Sequence, residues 1–546
     1  MNARPSLPKR LVALLCAASL FAWPAHAQSP NTLPSLGDSV ADDLSVGAER
    51  LIGEQIMREI RRDPDYLDDP VLLEYLQSIW QPLVAAARAR GEIGVELELR
   101  YTFEPFLVRE RSVNAFALPG GFIGVHLGLI AMTTSRDELA AVLAHELSHI
   151  TQRHIARSIA PSRQASLLAV AATILGMLAM SRSRTPDAGN AVVTGGQAAA
   201  IQSQLNFSRD MEREADRVGY GVLNQAGYSA AGMAAMFEKL DQSSRLNDSG
   251  NFPYLRTHPL TVERIGEARA RASMTDAAPL YTTLEHATAQ ARARVLMDTR
   301  ADALRRLEGL SANAAAPGNA SVAERLGAAY ASALSATLLL DWARADAALA
   351  LAMNLAQGSP RNDDRALRAV RLLAAQSMLE RGDAARAAAA LVPLHNEASR
   401  PVLLLQSQIA LAAHAQTSAP NNPQAAQQGP LAVAELRGSA EALQTWVATH
   451  PQDAAAWKTL GQVWARLGQP LRSLRADAEA QLAIGDISGA IERLRAAQRL
   501  VRTGASNDFI EASVVDARLR AIEAQRRMLA GDDKKNGGHG SGEPPP

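Results

Sequence analysis

Apolar residues recur at helical spacing in two stretches of the first third of the chain. Between residues 45 and 90, isoleucines stand four residues apart, and this spacing predicts helix. Residues 135–138 form a capping box, which predicts the start of a second helix. In this motif the Ser135 hydroxyl accepts from a free backbone N–H of the first turn, and the Glu138 side chain accepts from the backbone N–H at the start of the helix.

Between these helices the pattern changes to a period of two, which is typical of half-buried strands. Residues 95–104 alternate apolar and polar side chains. A second strand is predicted at 114–118, and extended structure resumes at 122–127 after the turn residues 119–121, Pro-Gly-Gly. We therefore expect a small β-sheet before residue 130.

An uncharged stretch, residues 165–180, follows the second helix. It is shorter than the ~20 apolar residues that cross a bilayer. We predict a buried or interfacial helix here, with peripheral membrane contact as the alternative. A further helix is predicted at 207–225.

From about residue 320 the chain becomes rich in alanine, which indicates paired helices. Residues 457–464, WKTLGQVW, match the opening of a tetratricopeptide repeat, and glycines such as Gly468 and Gly485 mark the turns. We predict a tetratricopeptide-like α-solenoid over 320–530, with a plain helical bundle as the alternative. The polar residues 531–546 predict a disordered tail.

The first 27 residues have the features of a secretory signal peptide. A basic start precedes the apolar stretch 11–23, and Ala25-His26-Ala27 supplies a small-x-small cleavage pattern. We therefore expect export through a cleaved N-terminal signal; the alternative is an uncleaved membrane anchor. Cleavage after Ala27 would remove the single cysteine, Cys16.

Composition narrows the classes of function. The 546 residues are 47% hydrophobic and 21% charged, which excludes wholesale disorder and collagen-like structure. Fifty-six basic residues balance 56 acidic ones, so no nucleic acid is expected as a partner. One cysteine excludes a disulfide framework and a cysteine-rich zinc site.

Residues 145–149, His-Glu-Leu-Ser-His, form an H-E-x-x-H motif on the second predicted helix. Residues four apart share a helix face, so His145 and His149 can bind one metal ion. Imidazole nitrogens suit Zn²⁺, and a catalytic zinc keeps one position open for water. Glu146 lies one step round the helix, where it can act on that water as a general base. The motif predicts one zinc ion per chain and peptide hydrolysis.

A third ligand is expected from the helix predicted at 207–225. Glu212 and Asp216 stand four residues apart and share one face. Glu212 would bind the metal, while Asp216 would hold a histidine in place or contact substrate. The spacing alone is equally compatible with a solvent-exposed helix face on which acidic residues alternate with arginines.

The H-E-x-x-H motif, the sequence E-x-x-A-D at 212–216 and the strand sequence NAFALPGG at 114–121 together resemble the zinc metallopeptidases that include HtpX and the CAAX prenyl proteases. The resemblance implies a zincin-type protease domain at 45–275. It implies zinc ligation by His145, His149 and Glu212, with Glu146 as general base and Asp216 as proton donor. With the repeats, the expected fold is mainly α with a small β-sheet, a protease domain preceding an α-solenoid.

Three further histidines, His258, His154 and His126, could also lie near the metal. His258 lies in a short polar loop before an arginine-rich helix, where it could swing in as a fourth, regulatory ligand that silences the resting enzyme. The alternative for His258 is a structural role. We expect His154, near the end of the motif helix, to be a polar neighbour, and His126 to lie on a sheet face.

The predicted strand at Asn114, Ala115, Phe116 and Ala117 offers a way to bind extended substrates. A peptide can add to a sheet edge through backbone hydrogen bonds, with little dependence on its side chains. This mode of binding suits a protease that acts on unfolded or stalled β-strand proteins.

The order of signal peptide, protease domain and repeats resembles periplasmic proteases of this family that support outer-membrane β-barrel assembly. The resemblance implies misfolded or stalled outer-membrane proteins as substrates, the β-barrel assembly machinery as a partner of the repeats, and at most peripheral membrane contact. The alternative is a periplasmic chaperone or scaffold with a structural or idle zinc site.

Overall fold

The computed structural model describes residues 45–159, 207–246, 252–274, 280–310, 320–358, 364–418, 425–503 and 508–537. The predicted signal peptide and the uncharged stretch 165–180 lie outside the described residues. Within those ranges the chain is mainly helical with a small four-stranded sheet. None of the helices in these ranges is both long enough and apolar enough to span a bilayer.

The part up to residue 273 combines helices with the whole sheet. Its helices are α1 (Val46–Ile60), α2 (Pro70–Ala89), α3 (Val95–Arg100), α4 (Leu127–Met132), α5 (Arg136–Thr151), α6 (His154–Ile159), α7 (Arg209–Gln225), α8 (Ala231–Leu246), α9 (Tyr254–Thr257) and α10 (Val262–Ser273). Its strands are β1 (Tyr66–Leu67), β2 (Glu104–Val108), β3 (Ala115–Leu118) and β4 (Phe122–His126).

The sheet has the order β1-β2-β4-β3. Strand β4 runs parallel to β2 and antiparallel to β3, with Ala115 opposite Val125. The strands predicted at 114–118 and 122–127 are therefore confirmed as β3 and β4. Within the described part of the chain, β3 pairs on one side only and forms an edge of the sheet.

The strand predicted at 95–104 is wrong for its first six residues, which form helix α3. Of the apolar positions that suggested alternation, Leu97 is buried, whereas Val95 and Leu99 are 79% and 76% exposed. Acidic residues in the first turn and Arg100 in the last turn suit the helix dipole. These local charges favour the helix, and no strand in the described part of the chain pairs with this segment.

Helix α5 starts where the sequence predicted it. The Ser135 hydroxyl accepts from the Glu138 N–H, but the Glu138 carboxylate accepts from the Thr134 N–H rather than from that of Ser135. Helix α5 packs against α2, α7, α8 and β3. Almost all of its side chains are buried as a result, including the polar ones of the motif.

The remaining elements, from residue 284 on, are here called the C-terminal helices. They are α11 (Leu284–Leu296), α12 (Ala301–Glu308), α13 (Val322–Leu338), α14 (Trp342–Gln357), α15 (Asp364–Glu380), α16 (Ala384–Leu391), α17 (Arg400–Thr417), α18 (Ala425–Thr449), α19 (Ala454–Arg466), α20 (Pro470–Ala483), α21 (Ile487–Arg502) and α22 (Phe509–Gly537). Many of these helices pack on the next one along the chain, with alanine common among the buried residues.

Helix α22 continues to Gly537, into the stretch 531–546 for which composition predicted a disordered tail. Extending an existing helix adds one backbone hydrogen bond for each residue fixed, so a polar sequence can continue a helix that it would not start. Residues 538–546 lie outside the described residues.

Arginines of the C-terminal helices pair with acidic residues around the start of α2. The nitrogen–oxygen distances of these pairs are 2.6–2.7 Å. The pairs are Arg292–Asp69, Arg368–Glu74 and Arg400–Asp68. This junction joins the C-terminal helices to the part of the chain that carries the sheet.

Candidate metal centre

Helix α5 carries the motif residues in the interior of the molecule. The side chains of His145, Glu146 and His149 are 0–1% exposed. Helix α7 approaches α5 closely because Gly219 faces it, and a Cβ at Gly219 would lie 3.0 Å from the Ala144 carbonyl oxygen. This contact brings the carboxylates of α7 to the motif histidines.

Four side chains predicted from the sequence converge at one point. Nε2 of His149 lies 3.0 Å from Nε2 of His145 and 3.5 Å from a carboxylate oxygen of Glu212. Nδ1 of His258 lies 2.9 Å from the same oxygen and 3.4 Å from Nε2 of His145. One ligand atom from each residue thus lies within 4.8 Å of every other.

These spacings fit a metal ion. Four ligand atoms held tetrahedrally at about 2.0–2.1 Å from one zinc ion lie about 3.3–3.4 Å apart. The observed separations, 2.9–3.5 Å, bracket that value. Imidazole nitrogens and carboxylate oxygens are ligand atoms that divalent metal ions accept, and here four of them lie together in a buried cluster. His145, His149, Glu212 and His258 are therefore the candidate ligands.

Glu146 is fully buried beside this cluster without being part of it. Neither carboxyl oxygen has a hydrogen-bond partner of normal geometry, and Nε2 of His258 lies 3.4 Å from one of them. Burial raises the pKa of the Glu146 carboxyl, while the backbone amide of Ala117 on β3 favours its ionised form. A carboxylate with free lone pairs at this place can accept a proton.

Asp216 contacts a ligand rather than the centre of the cluster. Its carboxylate lies 3.0 Å from Nδ1 of His145 and accepts two bonds from the Arg264 guanidinium, at 2.7 and 2.8 Å. Burial alone would raise the pKa of Asp216, but the bonds from His145 and Arg264 hold it below its usual range. Arg264 also pairs with Glu212 at 2.7 Å. This position favours orientation of His145 by Asp216 over contact with substrate or donation of a proton.

The charges of the cluster depend on one another. Burial opposes ionisation of Glu212, but the neighbouring His258 and His145 outweigh it and hold the Glu212 pKa well below its usual range. Burial would lower the pKa of His145, yet hydrogen bonds to Asp216 and Glu212 raise it to about 9. Burial and the neighbouring histidines lower the pKa of His149 well below its usual value. His145 and the ionised Glu212 thus favour a positive charge at this site, whereas His149 favours its neutral form, which is the form that binds a metal ion.

The sequence did not predict the role of His154. This side chain is fully buried, with Nδ1 2.9 Å from Nδ1 of His149 and Nε2 3.1 Å from a carboxylate oxygen of Glu214. Burial lowers the pKa of His154 to about 4. The sequence signal was a histidine just beyond the helix end, five residues after His149. His126 is also buried, 2.9 Å from the Ser112 hydroxyl and outside the cluster.

Aromatic side chains enclose the cluster. The ring of Phe207 stacks on His149 with centroids 4.0 Å apart, and the ring of Tyr254 lies 4.6 Å from that of His258. The Tyr254 N–H donates to the Val113 carbonyl at 3.4 Å, next to the start of β3. The segment that carries His258 is therefore tied to the edge of the sheet.

The edge strand β3 lies against α5. The His126 N–H donates to the Asn114 carbonyl, so in this antiparallel pair Asn114 and Phe116 face β4, and the backbone groups of Ala115 and Ala117 face the open edge. Oδ1 of Asn114 is buried and has no hydrogen-bond partner.

Comparison with known proteins adds independent evidence. Residues 74–272 match the model of peptidase family M48. The beta-barrel assembly-enhancing protease of Escherichia coli K12 is 37% identical over 270 residues, which are 49% of this chain and 53% of that protein. The protein of that name from Yersinia pestis is 32% identical, over 52% of this chain and 57% of its own length.

A more distant match is the metalloprotease LoiP of Escherichia coli K12, 32% identical over 30% of this chain and 60% of LoiP. The chain spans about half the length of the beta-barrel assembly-enhancing proteases that it matches. The matched region contains strands β2, β3 and β4, helix α5 and all four candidate ligands. The part of this chain from residue 74 to residue 272 is therefore a metalloprotease domain of peptidase family M48.

Proposed function

We propose that this chain is a zinc-dependent endopeptidase of the periplasm that cleaves misfolded or stalled outer-membrane proteins and supports β-barrel assembly. The observation that carries the catalytic part is the convergence of His145, His149 and Glu212 beside the unpartnered carboxyl of Glu146. The donor set of nitrogens and oxygen suits zinc at tetrahedral spacing.

A bound zinc ion supplies Lewis-acid chemistry, which polarises a peptide carbonyl and lets water attack at neutral pH. Glu146 takes a proton from the attacking water on a carboxylate oxygen and passes it to the nitrogen of the leaving amine. Asp216 and Arg264 hold His145 and Glu212 in position through the contacts described above. In this assignment Asp216 orients a ligand and does not donate the proton.

The test is a metal analysis of the purified protein, paired with casein cleavage with and without a chelator. We expect one zinc ion per chain and chelator-sensitive cleavage. The Glu146→Gln variant should keep the zinc and lose about 10²–10⁴-fold in cleavage rate. Full activity of that variant would contradict the assignment of Glu146 as general base.

His258 is proposed as a regulatory fourth ligand. Catalytic zinc sites keep a position open, whereas a set of four protein ligands closes the site. Nδ1 of His258 takes the fourth place in the cluster, and its Nε2 faces the Glu146 carboxyl. Substrate would have to displace this side chain before water could attack.

Replacing His258 with Ala should therefore raise basal cleavage of casein. His126→Ala removes another buried histidine outside the cluster and serves as the matched control. Unchanged basal cleavage in His258→Ala would count against the regulatory role.

The edge strand β3 is proposed to bind extended substrate. The outward backbone groups of Ala115 and Ala117 lie at an edge that packs on the motif helix, and the amide of Ala117 adjoins Glu146. A strand added here would pass the general base. Ala117→Pro removes an outward N–H and should weaken cleavage while zinc content stays unchanged, whereas Ala117→Gly keeps the N–H as a control. Normal cleavage by Ala117→Pro would contradict this binding mode.

The cellular setting rests on sequence features and on the names of the relatives. The predicted signal peptide at 1–27 supports export, and two matched relatives are named beta-barrel assembly-enhancing proteases. The C-terminal helices are proposed to form a tetratricopeptide-like solenoid that binds the β-barrel assembly machinery, because repeat stacks offer extended surfaces for protein partners.

A second function, a periplasmic chaperone or scaffold with an idle zinc site, is favoured by one observation. His258 and Glu212 complete a closed set of four ligand groups, as structural zinc sites have. The Glu146→Gln variant separates the two functions in cells. If maturation of outer-membrane proteins survives loss of cleavage, the chaperone function gains support.

A further inference from the structure

Both motif histidines have an acidic residue of helix α7 behind them, but the two supports differ. His145 contacts Asp216 directly, with 3.0 Å between Nδ1 and the carboxylate oxygen. His149 contacts His154 instead, and His154 in turn contacts Glu214. Helix α7 thus supplies Glu212 to the cluster and, two and four residues further on, the carboxylates of Glu214 and Asp216 behind the two histidines.

The contact between Nδ1 of His149 and Nδ1 of His154 determines which ring nitrogens carry a proton. A hydrogen bond between two Nδ1 atoms 2.9 Å apart needs one protonated and one unprotonated nitrogen. Metal binding through Nε2 of His149 requires that its proton sit on Nδ1. His149 must then donate, and Nδ1 of His154 must accept.

Glu214 selects this arrangement. The carboxylate lies 3.1 Å from Nε2 of His154, so it accepts a proton held there and leaves Nδ1 of His154 free to accept from His149. Arg157 donates to the same Glu214 oxygen at 2.9 Å and keeps the carboxylate in place. In the opposite arrangement His149 would carry its proton on Nε2, which points at the other ligands, and the metal would be excluded.

The backbone places His154 for this task. Helix α5 ends at Thr151, and Arg153 adopts a left-handed conformation, with φ of 52°. Arg153 also pairs with the buried carboxylate of Glu49, and this partly buried ion pair holds the turn. A left-handed residue other than glycine persists only where the surroundings stabilise it. The turn directs His154 back toward His149.

We propose that His154 and Glu214 are positioning residues that hold His149 in the tautomer able to bind metal, and that they thereby set the metal affinity of the site. This inference rests on the proposed zinc site. Groups that orient metal-binding histidines are worth about 10–100-fold in metal affinity or activity.

The experiment measures the zinc dissociation constant of the full chain by competition with a chromophoric chelator. His154→Leu should raise that constant about 10–100-fold and change the visible spectrum of the cobalt-substituted protein. His154→Asn should recover much of the loss, because its amide oxygen takes the place of Nδ1 and still accepts from His149. Glu214→Gln, which keeps an acceptor but removes its charge, should show a smaller loss.

The matched control is His286→Leu. His286 is also fully buried and has two partners, Tyr75 and the Thr133 carbonyl, outside the metal centre. It should lower thermal stability while leaving the zinc dissociation constant within about twofold of the wild type, since it is remote from the ligands. Thermal unfolding of the metal-free variants shows whether His154→Leu folds; where it does not, the Asn and Gln variants decide.

The outcomes separate this inference from the proposed function. If the wild-type protein binds no zinc, both the proposed function and the positioning role of His154 and Glu214 are contradicted. A wild type that binds zinc, together with His154→Leu and Glu214→Gln variants of unchanged affinity and cobalt spectrum, overturns the positioning role alone. A loss of affinity in His154→Leu that His154→Asn restores supports it.

Discussion

The metal centre and the C-terminal helices both depend on close helix packing, but they use it differently. Helix α5 buries polar side chains, and several of these have a partner on another element, as His145 has in Asp216 and Glu138 has in Lys239. The C-terminal helices bury mainly alanine and other apolar side chains, and similar turns connect several of them. The structure of the metal centre depends on individual residues, whereas several of the C-terminal helices are connected by turns of the same local structure.

This local structure is visible where one C-terminal helix turns into the next. A residue with positive φ precedes an aspartate whose side chain accepts from the N–H three residues later, as at Leu340-Asp341, Gly382-Asp383 and Gly485-Asp486. Such turns depend on few distant contacts. The metal centre has no comparable local pattern, because His145 and His258 are 113 residues apart in the chain.

At the junction with the start of helix α2, the C-terminal helices also depend on individual residues. The Arg292 guanidinium makes two bonds of 2.7 Å to the Asp69 carboxylate, and the Asp69 side chain also caps helix α2. Both side chains are at most 9% exposed. The junction therefore resembles the metal centre more than it resembles the turns.

The largest effect is expected from Arg292→Ala. Removing one partner of a buried ion pair leaves the Asp69 carboxylate uncompensated and should lower the free energy of unfolding by about 3–5 kcal/mol. Chemical denaturation measures this change. The double variant with Asp69→Asn should lose less than the sum of the single changes, since it removes the unpaired charge. A loss below about 1 kcal/mol in Arg292→Ala would show that the junction is not a critical contact.

A smaller effect is expected where α7 crosses α5. The added Cβ of Gly219→Ala would lie 3.0–3.1 Å from backbone atoms of Ala144 and His145, so the two helices must separate. Such overpacking costs about 1–3 kcal/mol and should also weaken zinc binding, because Glu212 moves with α7.

Gly221→Ala in the same helix is the control for Gly219→Ala. Its Cβ would meet the flexible end of the Arg90 side chain, so stability should stay within about 1 kcal/mol of the wild type or rise through better helix propensity. Zinc binding by Gly219→Ala at wild-type affinity would contradict the importance of this close approach.

An acid-dependent effect is expected at Asp453, which caps α19 and accepts from Arg400. Burial opposes its ionisation, but the bonds from Arg400 lower its pKa. Asp453 therefore stabilises the fold above about pH 4, where the unfolded carboxyl is ionised, and this contribution is lost as the pH falls through the folded pKa.

Asp453→Asn should cost about 1–3 kcal/mol at pH 7. It should also show a weaker further loss of stability in acid than the wild type does. Denaturation curves at neutral and acid pH measure the difference, and parallel losses in the two proteins would refute this role for Asp453.

The smallest effects are expected in the turns. Gly382 has φ of 81° and no atom within 4 Å of an added Cβ, so Gly382→Ala should cost about 1 kcal/mol through backbone strain alone. Leu340, with φ of 61°, is the converse case, and Leu340→Gly should be neutral or stabilising by up to about 1 kcal/mol. Thermal unfolding of both variants tests whether these turns favour glycine at the positive-φ position. Equal losses of stability in the two variants would contradict this expectation.

Several features followed from the sequence alone. Spacing of four residues placed His145 and His149 on one face, and turn residues separated the two strands that became β3 and β4. A helix was expected at 207–225 and is found as α7, whose first turn the Ser208 hydroxyl caps. Each of these depends on neighbours within a few residues, and short-range spacing determines which side chains share a face.

Other features were decided only by the tertiary structure. Period-two patterning predicted a strand at residues 95–100, but they form a helix that buries Leu97 and leaves Val95 and Leu99 exposed. His154 became a partner of His149 through a left-handed turn held by a partly buried ion pair. The partner of Asp216, Arg264, comes from α10, 48 residues away. Contacts of this kind depend on how helices pack, which a local pattern of residues does not specify.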